Sequence, residues 1–246
     1  MVRSRTAGAG ASAYAQYRAR LSAGRVRRWS ARALLAIAVL AVVAWLWDWR
    51  IGLLAAAVVA VADAVREWRT HSSTTAWRKG ARGERATARL LRPLERRGYV
   101  VLHDRALPRS KANVDHLVIG PPGVFVVDSK AWHRHTRISS GKGRLWIGGR
   151  PADSTVRAVT YETRKVADAL GTAMGRPVQV TAVVAVHGAK LPRWGALLVS
   201  GVTLLRARRV RGWIVQHGTR LDEPQVAAIG AAAERAFPPY VEKERQ

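Results

Sequence analysis

The stretch that decides the fold is "NVDHLVIGPPGVFVVDSK", residues 113–130. Two runs rich in β-branched residues, 113–120 and 123–132, flank Pro121-Pro122, and this pattern predicts a β-hairpin. With Gly120 and Gly123 as partners across the turn, Asp115 falls directly opposite Asp128. Opposed residues project from one face of a sheet, and Lys130, two residues beyond Asp128, projects there too. His116 then points to the opposite face. A one-residue slip would put the two acids on different faces. Adjacent carboxylates repel and need a shared proton or a cation, and an oxygen donor set suits a hard divalent ion. The competing reading is two edge-strand acids facing solvent, with Lys130 as an ordinary ion-pair partner. Spacing alone leaves both open.

The acids stand out because their surroundings are so basic. Between Arg96 and Ala152 there are eleven Lys or Arg and only three acids, Asp104, Asp115 and Asp128. The whole chain of 246 residues carries a formal charge of +26, from 35 Arg and 7 Lys against 16 acids. Such an excess favours polyanionic partners, either nucleic acid or anionic membrane lipids. There is no cysteine, which excludes disulfides, thiolate nucleophiles and Cys-ligated zinc or iron–sulfur centres. No Gly-rich phosphate loop and no Ser-His-Asp arrangement is present.

Working outward, "YVVLHDRAL" (99–107) reads as a strand. Upstream, residues 76–98 read as a helix entered after Ser72–Thr75, kinked or split at Pro93 and ended by Gly98. Downstream, "GRLWIGGRP" (143–151) predicts a short strand, and residues 154–171 an amphipathic helix with a glycine stop. Residues 178–188 form an apolar run suited to a strand covered on both faces. Residues 196–216 predict edge strands or a strand with a short helix. Residues 222–237 predict a last helix, with acids in its first turn and Pro238-Pro239 beyond it. This order predicts an α/β domain over residues 71–240, with a mixed sheet flanked by helices.

The N-terminal third poses a membrane question. Residues 1–32 hold eight Arg and no acid, and residues 1–28 read as a basic disordered tail. "ALLAIAVLAVVAWLW" (33–47) and "IGLLAAAVVAVA" (51–62) are apolar and separated by Asp48-Trp49-Arg50. One long helix would bury Asp48 and Arg50 near the bilayer centre, at a cost of several kcal/mol. A secretory signal fits poorly, since no small-residue cleavage site follows the first run. A transmembrane helical hairpin within residues 29–70, turning at Asp48–Arg50, is the expected arrangement. Arginine clusters outside both arms then place both termini, and the α/β domain, on the cytoplasmic side of the cell membrane. A soluble Ala-rich helical pair is the competing arrangement.

"GARGE" (80–84) followed by "VLHDRALPRSKANVDHLVIGPPGVFVVDSKAW" (101–132) resembles the nuclease-related domain family, NERD, a branch of the restriction-endonuclease-like PD-(D/E)xK superfamily. The resemblance spans about residues 77–150. It implies a restriction-endonuclease-like fold and a membrane-tethered, Mg²⁺- or Mn²⁺-dependent nuclease that hydrolyses phosphodiester bonds in DNA, with RNA as a second candidate. Asp115 and Asp128 match the metal-binding acids, joined by the main-chain carbonyl of Ser129. Lys130 matches the superfamily lysine and Glu84 the helical glutamate. Asp128 stands where many relatives carry Glu, one methylene longer. Arg105, Arg109, Lys111, Arg134 and Arg137 are candidates for neutralising nucleic-acid phosphates, against the plainer reading of a solvated basic face. No small-molecule cofactor is implied. The alternative function is a non-catalytic module that binds nucleic acid or a partner at the membrane.

Other residues carry weaker signals. His133 and His135 lack a third metal ligand in view. Trp132 and Trp146 could stack bases or serve as packing. Tyr161 and Glu162 lie on the later helix, with nothing in the sequence to place them at the site.

Overall fold

The hairpin forms in the expected register. Strand β2 (Asn113–Gly120) pairs antiparallel with β3 (Gly123–Ala131), Gly120 opposite Gly123 and His116 opposite Val127. The computed structural model describes residues 34, 37–38, 41–42, 45, 48–110, 112–192 and 195–240. Strand β1 (Val100–Ala106) adds to the free side of β2. On the other side of β3, β7 (Val180–His187) pairs in parallel. β7 in turn pairs in parallel with β9 (Val202–Arg206), and β8 (Leu197–Val199) closes that edge antiparallel. The result is a six-stranded mixed sheet in the order β1-β2-β3-β7-β9-β8. A three-stranded sheet stands beside it, made of β4 (Ile138–Gly141), β5 (Arg144–Ile147) and β6 (Arg150–Pro151). One short strand was expected where β5 and β6 lie, and β4 was not foreseen.

Helices cover both faces of the large sheet because its central strands are apolar on both sides. On one face, Leu91 and Leu94 of helix α1 (Trp49–Glu95) and Val210 and Ile214 of α3 (Ala207–Val215) pack with Val118, Phe125, Val127 and Val183. On the other, Val166 and Leu170 of α2 (Asp153–Met174) and Val226 and Ile229 of α4 (Glu223–Ala236) pack with Leu117, Ile119, Val124 and Val126. The alternation along β3 decides the site: Val124 and Val126 face α2, so Asp128 and Lys130 do as well. Asp222 starts α4 with a capping box, exchanging bonds with Gln225.

Three helix boundaries differ from the sequence reading. Residues Ser72–Thr75 do not interrupt α1, which runs unbroken over 47 residues. Serine and threonine favour caps only where the chain is already free to leave the helix, and no Pro lies between Trp49 and Arg92. Pro93 sits in the last turn and marks the end of α1, which does not split there. Helix α2 passes Gly171 and stops at Gly175, whose φ of 64° gives the left-handed cap.

The chain divides between Arg78 and Lys79 into two units. In the first, Asp48 lies outside the helix and its Oδ1 accepts from Arg50 N at 2.7 Å, so it caps the start of α1. Trp49, Ile51, Leu53, Leu54, Val58, Val61 and Val65 are all exposed. Among the described residues, no helix is long and apolar enough to cross a membrane. The tail and most of the first arm of the expected hairpin lie outside the described residues. The second arm does not end by residue 70 but continues through α1 to Glu95.

Candidate metal and phosphate site

Each acid of the site comes from a different turn of the fold. Asp115 lies in β2 just before the segment paired with β3, and its Oδ2 accepts from Ser129 N at 2.8 Å. Asp128 is 3 % exposed on β3, and its Oδ1 takes the Lys130 ammonium at 2.7 Å. Asp128 Oδ2 is buried and has no hydrogen-bond partner. A buried carboxylate oxygen left bare is costly, so the site is short of one cationic or donor group. Glu84, half-buried on α1, and Glu162, half-buried on α2, complete the group.

The proton affinities report the crowding. Burial, then the charges of Asp128 and Glu84, hold the Asp115 carboxyl well above the usual aspartate range. Burial, then Asp104, push Glu84 up to about 7, with Asp128 adding and Lys130 opposing. Burial and then Asp128 raise Glu162 to about 8, again against Lys130. For Lys130, burial works against the charge, but Asp128 and Asp115 outweigh it and lift the group above the ordinary lysine range. One lysine serves four carboxylates.

The next residue along each strand faces the opposite way. His116 Nε2 lies 3.1 Å from Ser129 Oγ, and Ser129 Oγ donates to Thr87 Oγ1 at 2.8 Å. His103 Nδ1 lies 2.8 Å from His116 Nδ1, and His187 Nε2 lies 2.7 Å from Thr87 Oγ1. Burial and then the Arg105 charge lower His103 to about 4. Burial, then His103 and His187, hold His116 well below the usual range, and burial lowers His187. This side is neutral, as expected for a histidine turned away from the acids.

Glu84, Asp115, Asp128 and Lys130 are therefore brought together, and Ser129 joins the two sides. The described basic candidates are carried by β1 and by the loops on either side of the hairpin. Arg105 Nη1 donates to the carbonyl of Phe237 at 3.3 Å, tying β1 to the end of the domain. Arg109 is exposed in the β1–β2 loop with φ 53°, and Arg134 and Arg137 are exposed beyond β3. Lys111 lies outside the described residues. The rings of His133 and His135 are 5.2 Å apart, with no third ligand among the described residues. Trp132 packs beside Ile138 and Leu145.

Sequence reasoning left Glu162 unplaced, yet a signal was there. Glu162 is three residues after Val159 and four before Val166, both fully buried, so it sits on the apolar stripe of α2. A charge on a buried stripe marks a site. Arginines were missed in the same way. Arg157, Thr160, Tyr161 and Arg164 share the neighbouring helix face, and with Arg144 and Asp153 they line a cavity of about 580 Å³. Arg144 and Asp153 are paired with each other, and Arg157, whose charge also acts on Asp153, and Arg164 make the lining net positive.

Residues 79–187 match the family model of the nuclease-related domain, NERD. The match includes every acid of the site and Lys130, and it is consistent with a PD-(D/E)xK-like ancestry. No curated protein and no solved structure matches the chain.

Proposed function

We propose that this nuclease-related domain is a metal-dependent phosphodiesterase of the PD-(D/E)xK type acting on DNA. The observation that carries the reading is Asp128 Oδ2, buried without a partner among four crowded carboxylates. That atom is where a cation would be welcome. Among the described residues, no three acidic or imidazole side chains form a ready-made metal cage. Mg²⁺ does not require one, since it is commonly held by one or two carboxylates together with water and substrate phosphate. Asp115, Asp128 and the main-chain carbonyl of Ser129 would hold Mg²⁺ or Mn²⁺. Bound there, the ion would polarise a scissile phosphate and make a water more acidic.

The protein's own groups supply the rest. Lys130 carries a fixed positive charge beside Asp128 and offsets charge that develops on the phosphate. Glu84 and Glu162, raised to about 7 and about 8, hold or release a proton at a carboxyl oxygen near neutral pH. That is the range in which a general acid or base is most effective. The arginine-lined cavity on α2 lies along the helix that carries Glu162, so Arg157 and Arg164 suit phosphates flanking the cleaved one. The exposed apolar residues of α1 before Arg66, with the arginine-rich tail, support attachment to an anionic membrane on its cytoplasmic face.

The test is cleavage of linear, circular and single-stranded DNA, and of RNA, by the full chain with Mg²⁺, Mn²⁺ or EDTA. Metal-dependent cleavage that disappears in Asp115→Ala and in Lys130→Ala is the expected result. The second reading, a non-catalytic binding module, draws on the Lys130–Asp128 pair, which already neutralises part of the site. It is adopted if no cleavage occurs and salt-sensitive DNA binding is the same in both variants.

A further inference from the structure

Ser129 is held from both faces of the sheet. Its N–H donates to Asp115, while its Oγ lies between His116 Nε2 and Thr87 Oγ1 on the opposite side. His103 extends this chain at one end and His187 at the other. Thr87, His103, His116 and Ser129 are each at most 5 % exposed. With so little access for water, the proton positions follow from counting.

His103 Nε2 is buried with no hydrogen-bond partner. An orphaned buried N–H is rarer and worse tolerated than a bare acceptor, so the proton of this ring is on Nδ1. The Nδ1 atoms of His103 and His116 are 2.8 Å apart, which leaves room for one proton between them. His103 Nδ1–H therefore donates to His116 Nδ1, and His116 carries its proton on Nε2. That N–H donates to Ser129 Oγ. Ser129, having accepted, passes its own hydroxyl proton to Thr87, and Thr87 passes its proton to His187 Nε2. Each donor has one acceptor, and the direction never reverses.

We propose that this one-way chain positions the candidate catalytic acids, with Thr87 and His116 as positioning residues that act through Ser129. The inference rests on the reading that Asp115 and Glu84 belong to a catalytic centre. Thr87 is one turn after Glu84 on the same face of α1. Leu91 and Leu94 hold the helix against the sheet by apolar contact, which tolerates sliding and rotation. The hydroxyl of Thr87 meets two partners at once and tolerates neither, as buried polar networks generally specify one arrangement. Gly83 allows the close approach, since a Cβ there would stand 3.2 Å from Ala131 Cβ. One chain thus fixes the helix that bears Glu84 and the strand residue whose N–H orients Asp115.

The first experiment is ¹⁵N NMR of the histidine rings in the full chain, which needs neither metal nor activity. The expected spectrum has His103 and His187 protonated on Nδ1 and His116 on Nε2. His116 protonated on Nδ1, or exchanging between tautomers, overturns the proposal. The second compares Thr87→Val, of equal shape without the hydroxyl, with Thr87→Ser. In Thr87→Val the Ser129 amide is expected to exchange its hydrogen at least ~10-fold faster, as expected when an orienting bond is loosened, and Thr87→Ser restores it. Unchanged Ser129 exchange in a folded Thr87→Val overturns the positioning role. Where the chain cleaves DNA, kcat falls about 10–100-fold with KM unchanged, the usual cost of losing an outer-shell partner. If no variant or parent cleaves, the nuclease reading fails alone, and the tautomers and amide exchange still decide this one.

Discussion

The two faces of the β2–β3 hairpin, built from alternate residues of the same strands, handle polarity in opposite ways. Asp115 and Asp128, on the α2 side, crowd with Glu162 of α2 and Glu84 of α1 around one lysine and leave a buried oxygen bare. On the α1 side, His103, His116, Ser129 and Thr87 are as deeply buried, yet they are neutral and joined in one hydrogen-bonded chain that leaves only an uncharged ring nitrogen, His103 Nε2, unpartnered. A stable protein has reason to build the second face and none to build the first. Unrelieved repulsion is what a site for a cation and a phosphate requires. On the proposed reading, the difference separates groups kept for chemistry from groups kept for position.

The largest effects come from breaking the acidic face. Asp115→Asn keeps an acceptor for Ser129 N–H but removes a charge. DNA cleavage by this variant is expected to fall by about 10²–10³ or more, the scale of losing one preorganised charge-stabilising group. Its metal-free melting temperature is expected to rise, since a repelling carboxylate is gone. Ser129→Ala, on the neutral face, should do the reverse in stability. It leaves His116 Nε2 without an acceptor and Thr87 with His187 as its remaining partner, at about 1–3 kcal/mol for the buried group left unsatisfied. Thermal denaturation of both variants checks the pair. If Asp115→Asn melts lower than the parent, the acidic face is structural and the contrast collapses.

pH sharpens the comparison, because the faces pull in opposite directions. Glu84 and Glu162 have native values of about 7 and about 8 against an ordinary 4.5. Their stabilisation is present below pH ~4.5 and is lost as pH rises through 7–8. His103 is depressed to about 4 from 6.5. Its contribution is present above pH ~6.5 and is lost as pH falls through 4. On these three groups metal-free stability is therefore expected to be greatest near pH ~4–5 and to fall along an alkaline limb toward pH ~8. Glu162→Gln should flatten only the alkaline limb, raising the melting temperature at pH 8.5 by about 3–6 °C for ~1–2 kcal/mol recovered. Mg²⁺ at pH 8.5 should restore the parent likewise. Melting curves across pH 4–9 decide it, and an alkaline limb unchanged in Glu162→Gln would remove Glu162 from the site.

Much of this was legible from the order of residues. Gly120-Pro121-Pro122-Gly123 admits a short turn, and that fixed the register, the facing of both acids and the opposite facing of His116. The rest required tertiary information or turn chemistry that was passed over. Thr87, His103 and His187 are far apart in sequence, and nothing local says that their side chains meet. The small sheet could have been read from Lys142-Gly143 and Gly148-Gly149, whose positive φ values form the two-residue turns that join β4, β5 and β6. Helix α1 was cut at Ser72–Thr75 because cap residues were given more weight than the absence of any breaker. The apolar run before it reads as a membrane arm on hydropathy and flanking arginines, whereas among the described residues no helix is long and apolar enough to cross a membrane and the apolar residues of α1 before Arg66 are exposed.

The smallest expected effects test where a polyanion lies relative to the two faces. Arg157 and Arg164 flank the acidic face on α2, whereas Arg105 is tied to the carbonyl of Phe237 and serves the fold. A residue that neutralises one phosphate contributes about 0.9 to the slope of log affinity against log salt on duplex DNA. Arg157→Ala and Arg164→Ala should each lower that slope by about 1 and weaken binding equally across sequences. Arg105→Ala should leave the slope unchanged and lower the melting temperature. Fluorescence anisotropy of labelled duplex across a salt series measures all three. Equal slopes for the α2 variants and the parent would move the polyanion off α2, toward the exposed Arg109, Arg134 and Arg137. The acidic face would then meet a phosphate from the loop side, and α2 would serve the fold and carry Glu162.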